Sequence, residues 1–254
     1  MPKFEFNLMK FSYLFFLFLA GGFSNAQTEK DIDHQSLLWT RYYNQLTLDN
    51  KWSIHTEIDN RIFFKPSKQN LYVLRINGRY KINSQIEIGL GFAYFSVATQ
   101  DPKNNSNFAI PEYRGLQDIS WKQEYNKFIL LQRFQVEERF FHNADKLNLL
   151  SGTTFNWRFR YRIQGEFNFF KKENQFLKAI AYDELMINTG KNIIKNTFDQ
   201  NRIYGALQLG VNKNIALELG YLNSFQQRSS GKDYFNRDII RFTIFHKISL
   251  KKKK

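Results

Sequence analysis

The stretch Phe155–Phe169 reads FNWRFRYRIQGEFNF, in which apolar and polar residues alternate. Alternate positions are apolar and mostly aromatic: Phe155, Trp157, Phe159, Tyr161, Ile163, Phe167 and Phe169. The positions between them are polar or charged: Asn156, Arg158, Arg160, Arg162, Gln164, Glu166 and Asn168. Successive side chains of a β-strand point to opposite faces. The stretch therefore predicts a strand with an apolar, aromatic face and a charged face.

The same alternation continues along the chain outside the first 26 residues. Near the C-terminus, Ile240, Phe242 and Ile244 alternate with Arg241 and Thr243. We therefore expect Phe159 and Ile244 to face lipid, and Arg160 and Thr243 to face the lumen of a barrel. We predict eleven strands, at about 36–48, 51–64, 70–82, 84–97, 112–125, 127–140, 155–169, 175–187, 201–211, 214–226 and 237–250.

The connections between these segments alternate in length. Short ones are predicted at Asp49-Asn50, Asn83, Tyr125-Asn126, Lys171–Asn174 and Asn212-Lys213, and long ones near 65–69, 98–111, 141–154, 188–200 and 227–236. Short turns on one side and long loops on the other are typical of outer-membrane barrels, whose turns are periplasmic. The pattern predicts an all-β protein, a transmembrane antiparallel up-and-down β-barrel of about 10–12 strands.

Eleven is an odd number, whereas bacterial single-chain barrels have an even number of strands. We therefore expect either an additional strand within Gln27–His34 or a segment that has been wrongly split or merged. The stretch 141–154 is the second candidate for such an error.

Composition narrows the function classes. The chain has no cysteine, which excludes a disulfide framework, a thiolate nucleophile and a zinc–cysteine site. Its formal charge of +14 is compatible with a nucleic-acid partner or with anionic lipids and solutes. The arginines are spread at strand spacing and accompany no recognition motif, so we predict no nucleic-acid binding. The only basic block is Lys251–Lys254, interpreted as a solvated terminus.

The first 26 residues have the three parts of a secretory signal peptide. The basic residues Lys3 and Lys10 precede an apolar run, Phe11–Ala20. Small residues follow at Ser24 and Ala26. The run is about half the ~20 residues that a spanning helix needs. We predict cleavage after Ala26, which leaves 27–254 as a single barrel domain exported to the cell outer membrane.

A secreted soluble barrel or sandwich is the alternative, because alternation alone does not say which face is outside. Three features favour the membrane: the length of the strands, the dense charge on the polar faces, and the placement of aromatic residues near segment ends. The aromatic residues expected in such a girdle are Trp39, Tyr42, Trp52, Tyr94, Trp121, Tyr125, Trp157 and Tyr221.

The chain resembles the bacterial domain-of-unknown-function family numbered 2490, described as a predicted outer-membrane β-barrel. The resemblance implies this fold and location, and it implies no activity. It rests on the order and spacing of WTRYY (39–43), KWSIHTEIDNR (51–61), RFQVEERF (133–140), WRFRY (157–161), ELMIN (184–188) and FDQNR (198–202).

If the apolar faces meet lipid, the charged faces line the lumen. We predict as lumen-lining Arg41, Glu57, Asp59, Arg61, Arg75, Arg79, Glu87, Arg133, Glu137, Arg139, Arg158, Arg160, Arg162, Glu166, Glu184, Arg202, Glu218 and Arg241, with Lys178 and Lys247 as further basic members. Basic residues exceed acidic ones in this set. Two hypotheses follow: a salt-bridge lattice that braces a narrow barrel, or a narrow pore that prefers anions, since arginine binds carboxylate and phosphate bidentately.

An outer-membrane lipid hydrolase is the enzyme alternative, with His246 as its best candidate base. No serine lies two residues from His246 on its face, so we predict no catalytic residue, and no cofactor or metal site either. The expected partners are outer-membrane lipid, the outer-membrane assembly machinery and small anionic solutes.

Overall fold

Within residues 30–103, 108–145, 148–172, 174–191 and 193–250, which the computed structural model describes, the chain forms β-strands and no helix. The predicted signal peptide lies outside these residues. No helix in this described part has the length and apolarity to cross a membrane. The strands are β1 (Ile32–Thr47), β2 (Trp52–Phe63), β3 (Lys68–Lys81), β4 (Ile86–Val97), β5 (Ile110–Tyr125), β6 (Phe128–Ala144), β7 (Leu149–Lys172), β8 (Gln175–Thr189), β9 (Phe198–Gly210), β10 (Ile215–Gln227) and β11 (Tyr234–Ser249).

The strands close into a barrel in chain order, so the predicted all-β barrel is confirmed. The chain divides into two units, Met1–Lys30 and Asp31–Lys254, and the barrel belongs to the second. Each strand pairs antiparallel with its sequence neighbours, and β1 closes the barrel against β11. This closing pair is parallel, running from Ile32↔Tyr234 to Thr47↔Ser249.

The parallel pair follows from the odd strand count, because directions alternate along the chain and the first and eleventh strands then run the same way. The prediction of eleven segments is confirmed, and the prediction of antiparallel pairing throughout is wrong at this one pair. The expected even number is not found in the described residues. Ile32–His34 belongs to β1 itself rather than to an additional strand.

One predicted long loop is wrong. The stretch 141–154 is mostly strand, because β6 continues to Ala144 and β7 begins at Leu149. The ladder continues through Phe141↔Thr154 and His142↔Thr153. Threonine is β-branched and packs well in strands, which explains why this stretch extends the hairpin.

Three turns share one mechanism. The side-chain oxygens of Asp49, Asn83 and Asn212 each accept hydrogen bonds from the backbone N–H groups two and three residues later, at 2.7–2.9 Å. Asp and Asn favour turns because their short side chains can cap the backbone in this way. All three lie at the rim where β1, β3, β5, β7, β9 and β11 end, called here the turn rim. The opposite edge is the loop rim.

The outer wall of the barrel is mostly apolar, with exposed carboxylates at Asp183 and Asp238. Leu90, Leu219 and Ile203 are among its most exposed residues, at 68%, 60% and 59%. Trp52, Trp121, Trp157 and Tyr221 are also exposed on this wall, while Trp39 is only 5% exposed and lies inside the barrel. The prediction that Trp39 belongs to an outer girdle is therefore wrong. Its position two residues from Arg41 puts both side chains on the same face of β1.

Candidate functional site

The lumen holds apolar clusters as well as charges. One cluster joins Leu37, Trp39, Phe63, Tyr182, Tyr204, Leu222 and Ile239, and a second joins Leu71, Val73, Ala93, Phe95 and Leu116. Arginines stack on these aromatic rings: the guanidinium of Arg61 lies 3.8 Å from the Trp39 ring centroid, and that of Arg114 lies 3.6 Å from the Phe95 centroid. The interior is thus filled by side chains over much of its length, as expected of a narrow barrel.

Buried ion pairs link β5, β6, β7 and β8 along the lumen side of the wall. Glu137 is 0% exposed, and its carboxylate receives Arg160 at 2.5 Å and Arg114 at 2.8 Å. Arg160 reaches onward to Glu184 at 2.7 Å, which also receives Arg133 at 2.7 Å. These contacts tie four strands together through side chains, in addition to the backbone ladder.

The same network extends toward the loop rim. Glu112 accepts Arg114 at 2.8 Å and Arg139 at 2.7 Å, and Arg158 pairs with Asp199 at 2.8 Å. We call this set the lumen barrier; its members are Glu112, Arg114, Glu137, Arg139, Arg158, Arg160, Glu184 and Asp199. All are less than 9% exposed.

Separate ion pairs lie inside the barrel on β1 to β5. Glu57 receives Arg75 at 2.5 Å and lies 3.6 Å from Arg41, while Asp59 pairs with Arg61 at 2.7 Å. Arg79 bridges Glu87 and Asp118. Each acid of this group therefore has a cation, so these pairs also brace the wall.

A third group is built around Glu218 on β10. Its carboxylate receives Arg241 at 3.0 Å, the Tyr204 hydroxyl at 2.7 Å and Gln208 at 2.9 Å. Gly220 makes this packing possible, because a Cβ at that position would collide with the Tyr204 hydroxyl. A glycine within a strand often marks such a close approach.

A cavity of about 580 Å³ lies between these groups and the turn rim. We call it the chamber. Its lining includes the turn residues Asn212–Asn214, so it extends to that rim. Nine basic side chains line it against three acidic ones, Glu57, Glu166 and Glu218. The nine are Arg41, Arg75, Lys122, Arg133, Arg162, Lys178, Lys213, Arg241 and Lys247.

The structure distributes the predicted lumen residues over these features. The barrier contains Glu137, Arg139, Arg158, Arg160 and Glu184, with Arg202 at 3.9 Å from Glu184. The chamber wall contains eight of them, as well as the two lysines Lys178 and Lys247: Arg41, Glu57, Arg75, Arg133, Arg162, Glu166, Glu218 and Arg241. The remaining four form the pairs on β2 to β5: Asp59, Arg61, Arg79 and Glu87.

Sequence reasoning missed the charged lumen residues Glu112, Arg114, Asp118, Asp199 and Arg237, and also Lys122 and Lys213 of the chamber lining. The alternation along β5 could have identified three of them, since alternate positions lie on one face: Glu112, Arg114, Leu116 and Asp118. Asp199 lies just before a predicted strand start, beside a register shift between Met186 and Ile187, so alternation could not assign it. Arg237 lies at the predicted start of the last strand.

Neither His246 nor His55 belongs to a hydrolytic site in the described residues. His246 contacts the hydroxyl of Tyr42 at 2.7 Å on the outer wall. His55 lies between Tyr43, at 2.5 Å, and the Ser53 hydroxyl, at 3.0 Å, but Ser53 is 4% exposed and does not line the chamber. A nucleophile needs access to substrate. In the described part of the chain, no cluster of three metal-ligating side chains occurs.

The comparison with protein families agrees with the resemblance seen in the sequence. The family model described as "Protein of unknown function (DUF2490)" matches residues 37–236. A solved structure described as "NanC porin structure in rhombohedral crystal form" has a TM-score of 0.46 and 14% sequence identity, over 76% of this chain and 84% of that chain. No curated protein matches the sequence.

Proposed function

The chain belongs to the DUF2490 family of proteins of unknown function, and we propose that it is an outer-membrane β-barrel braced shut by ion pairs within its lumen. The observation that carries the proposal is the lumen barrier. Glu137, Glu112 and Glu184 are 0–2% exposed, and each receives at least two arginines. Buried charges in such numbers are stable only where each acid is neutralised and hydrogen-bonded.

The outer wall supports the membrane location. Large exposed apolar surfaces are typical of contact with a membrane or a partner, and a closed barrel leaves no unpaired strand edge in hydrocarbon. The predicted signal peptide supplies the export route, and the lipid and the assembly machinery are the partners that follow. Exposed aromatic residues lie near the turn rim at Trp52, Trp121 and Tyr125, and near the loop rim at Tyr72, Tyr113 and Trp157.

Cysteine labelling tests this orientation without background, because the chain has no native cysteine. Gln164 lines the chamber and the adjacent Ile163 is 45% exposed on the outer wall. In lipid vesicles, a charged maleimide should label Gln164→Cys and leave Ile163→Cys unlabelled, since lipid excludes the reagent. Both should react alike in urea. Faster labelling of Ile163→Cys in vesicles would mean that the outer wall faces water, as in a soluble barrel.

A narrow anion-preferring pore is the second candidate, and the basic excess of the chamber favours it. Planar-bilayer recordings separate the two candidates. A braced barrel should show no steady conductance, because the proposal requires the ion-paired side chains to close the lumen. A steady current would instead support a pore. Its reversal potential in a salt gradient should then shift away from anion preference in the Arg158/Arg160/Arg162→Ala variant. A cation-selective current would contradict both candidates.

A further inference from the structure

We infer that the chamber is a binding site for a small solute carrying two or more carboxylate or phosphate groups. The first support is size and charge. A volume of about 580 Å³ falls within the usual range for small-molecule sites, about 300–1,000 Å³. The lining has nine basic side chains against three acidic ones. Arg133 and Lys122 pair with Glu184 and Glu124 outside the lining, so the cations that remain are those that an anion would neutralise.

The three carboxylates that line the chamber already form ion pairs. Glu57 receives Arg75 at 2.5 Å, Glu166 receives Lys178 at 2.5 Å, and Glu218 receives Arg241 at 3.0 Å. Glu57 also lies 3.6 Å from Arg41. Among the described residues, three cations of the lining form no ion pair: Arg162, Lys213 and Lys247. Like charges around one cavity repel one another, so a bound anion would stabilise the folded barrel.

Arg162 is the central surplus cation. Glu184 lies opposite it in the β7–β8 register, but the two oxygens of Glu184 are taken by Arg133 and Arg160, each at 2.7 Å. Across the described residues Arg162 forms no ion pair; its guanidinium lies over the Tyr182 ring at 5.2 Å from the centroid. A planar guanidinium with free donors is well suited to a carboxylate or phosphate.

Unused donors lie elsewhere on the same wall. The Nε atoms of Arg41, Arg75 and Arg133 are buried and donate to no protein acceptor. These residues are on β1, β3 and β6, and Arg162 is on β7. Because the donors are distributed around the chamber, a solute with two separated anionic groups would engage more than one part of the wall, whereas a monoanion would not.

Binding is measured by calorimetry on the full protein purified in detergent, at low salt, with succinate, pyrophosphate, acetate and chloride as probes. We expect succinate or pyrophosphate to bind in a saturable 1:1 complex, about tenfold or more tighter than acetate. Succinate would identify a carboxylate class and pyrophosphate a phosphate class. Equal, weak binding of all four probes would overturn the inference, since it would indicate only general counterion attraction.

Two variants localise the site. Arg162→Gln removes a charge that neutralises no acid, and Lys247→Gln removes one at the turn rim, so both should fold; each should weaken the tighter probe, Arg162→Gln by about tenfold. Arg237→Gln is the matched control, because Arg237 lies outside the chamber and contacts Gln35 at 2.7 Å and Gln100 at 2.9 Å. An equal loss in the control would contradict the assignment. Binding in detergent requires no conducting lumen, so a silent barrel in bilayers would not affect the result.

Discussion

Glu137→Ala is expected to lower the free energy of unfolding by about 3–5 kcal/mol. Glu137 is 0% exposed, and its carboxylate receives Arg160 at 2.5 Å and Arg114 at 2.8 Å, with Arg158 at 3.8 Å. Its removal would leave buried guanidinium groups without their central counterion. Each uncompensated charge would have to draw in water or move, and both disrupt the packing of the barrier. Urea titration of the protein in lipid vesicles measures the loss.

Glu124→Ala is the matched control for this change. Glu124 also forms an ion pair, with Lys122, but its side chain is 62% exposed near the turn rim. Surface pairs contribute about 0–1 kcal/mol because water screens both partners. We expect the control to unfold within about 0.5 kcal/mol of the wild type. If Glu137→Ala were equally mild, the barrier would not be a brace, and water in the lumen would have to stabilise its arginines.

The strands of this protein could be predicted because the barrel separates two environments. Each face of Phe155–Phe169 has its own surroundings, so apolar and polar residues alternate along the run, with Gly165 as the exception on the apolar face. In the structure Arg158 and Arg160 are buried inside, and Tyr161 and Ile163 are exposed outside. The odd or even position of a residue along its strand therefore predicts which face it lies on, without any knowledge of long-range contacts.

Position along the strand also predicts the face of a residue better than residue type does. Trp39 suggested a membrane girdle because tryptophan is common at membrane interfaces. Yet Trp39 is two residues from Arg41, and both side chains point into the barrel, where Arg61 stacks on the indole. Alternation alone would have assigned Trp39 to the inside.

Closure and charge pairing could not be predicted from local patterns. The parallel β1–β11 pair joins residues about 200 positions apart and depends on the total strand count. The partners of Glu137 lie on β5 and β7, and the choice among several arginines depends on register and on the reach of each side chain. The chamber arises from the same geometry, since it exists only where the surrounding side chains do not meet.

Leu74→Arg is expected to destabilise the barrel in lipid by about 2–4 kcal/mol, the cost of an arginine facing lipid near the midplane. Leu74 lies in the middle of β3, is 51% exposed on the outer wall, and has Ile58 and Tyr94 as its cross-strand neighbours. Ile82→Arg is the control: Ile82 is also 51% exposed but lies beyond the turn-rim end of β3. Near the interface the same substitution should cost about 0–1 kcal/mol. Urea titrations in vesicles compare the two variants, and equal costs would mean that this wall is not immersed in a bilayer.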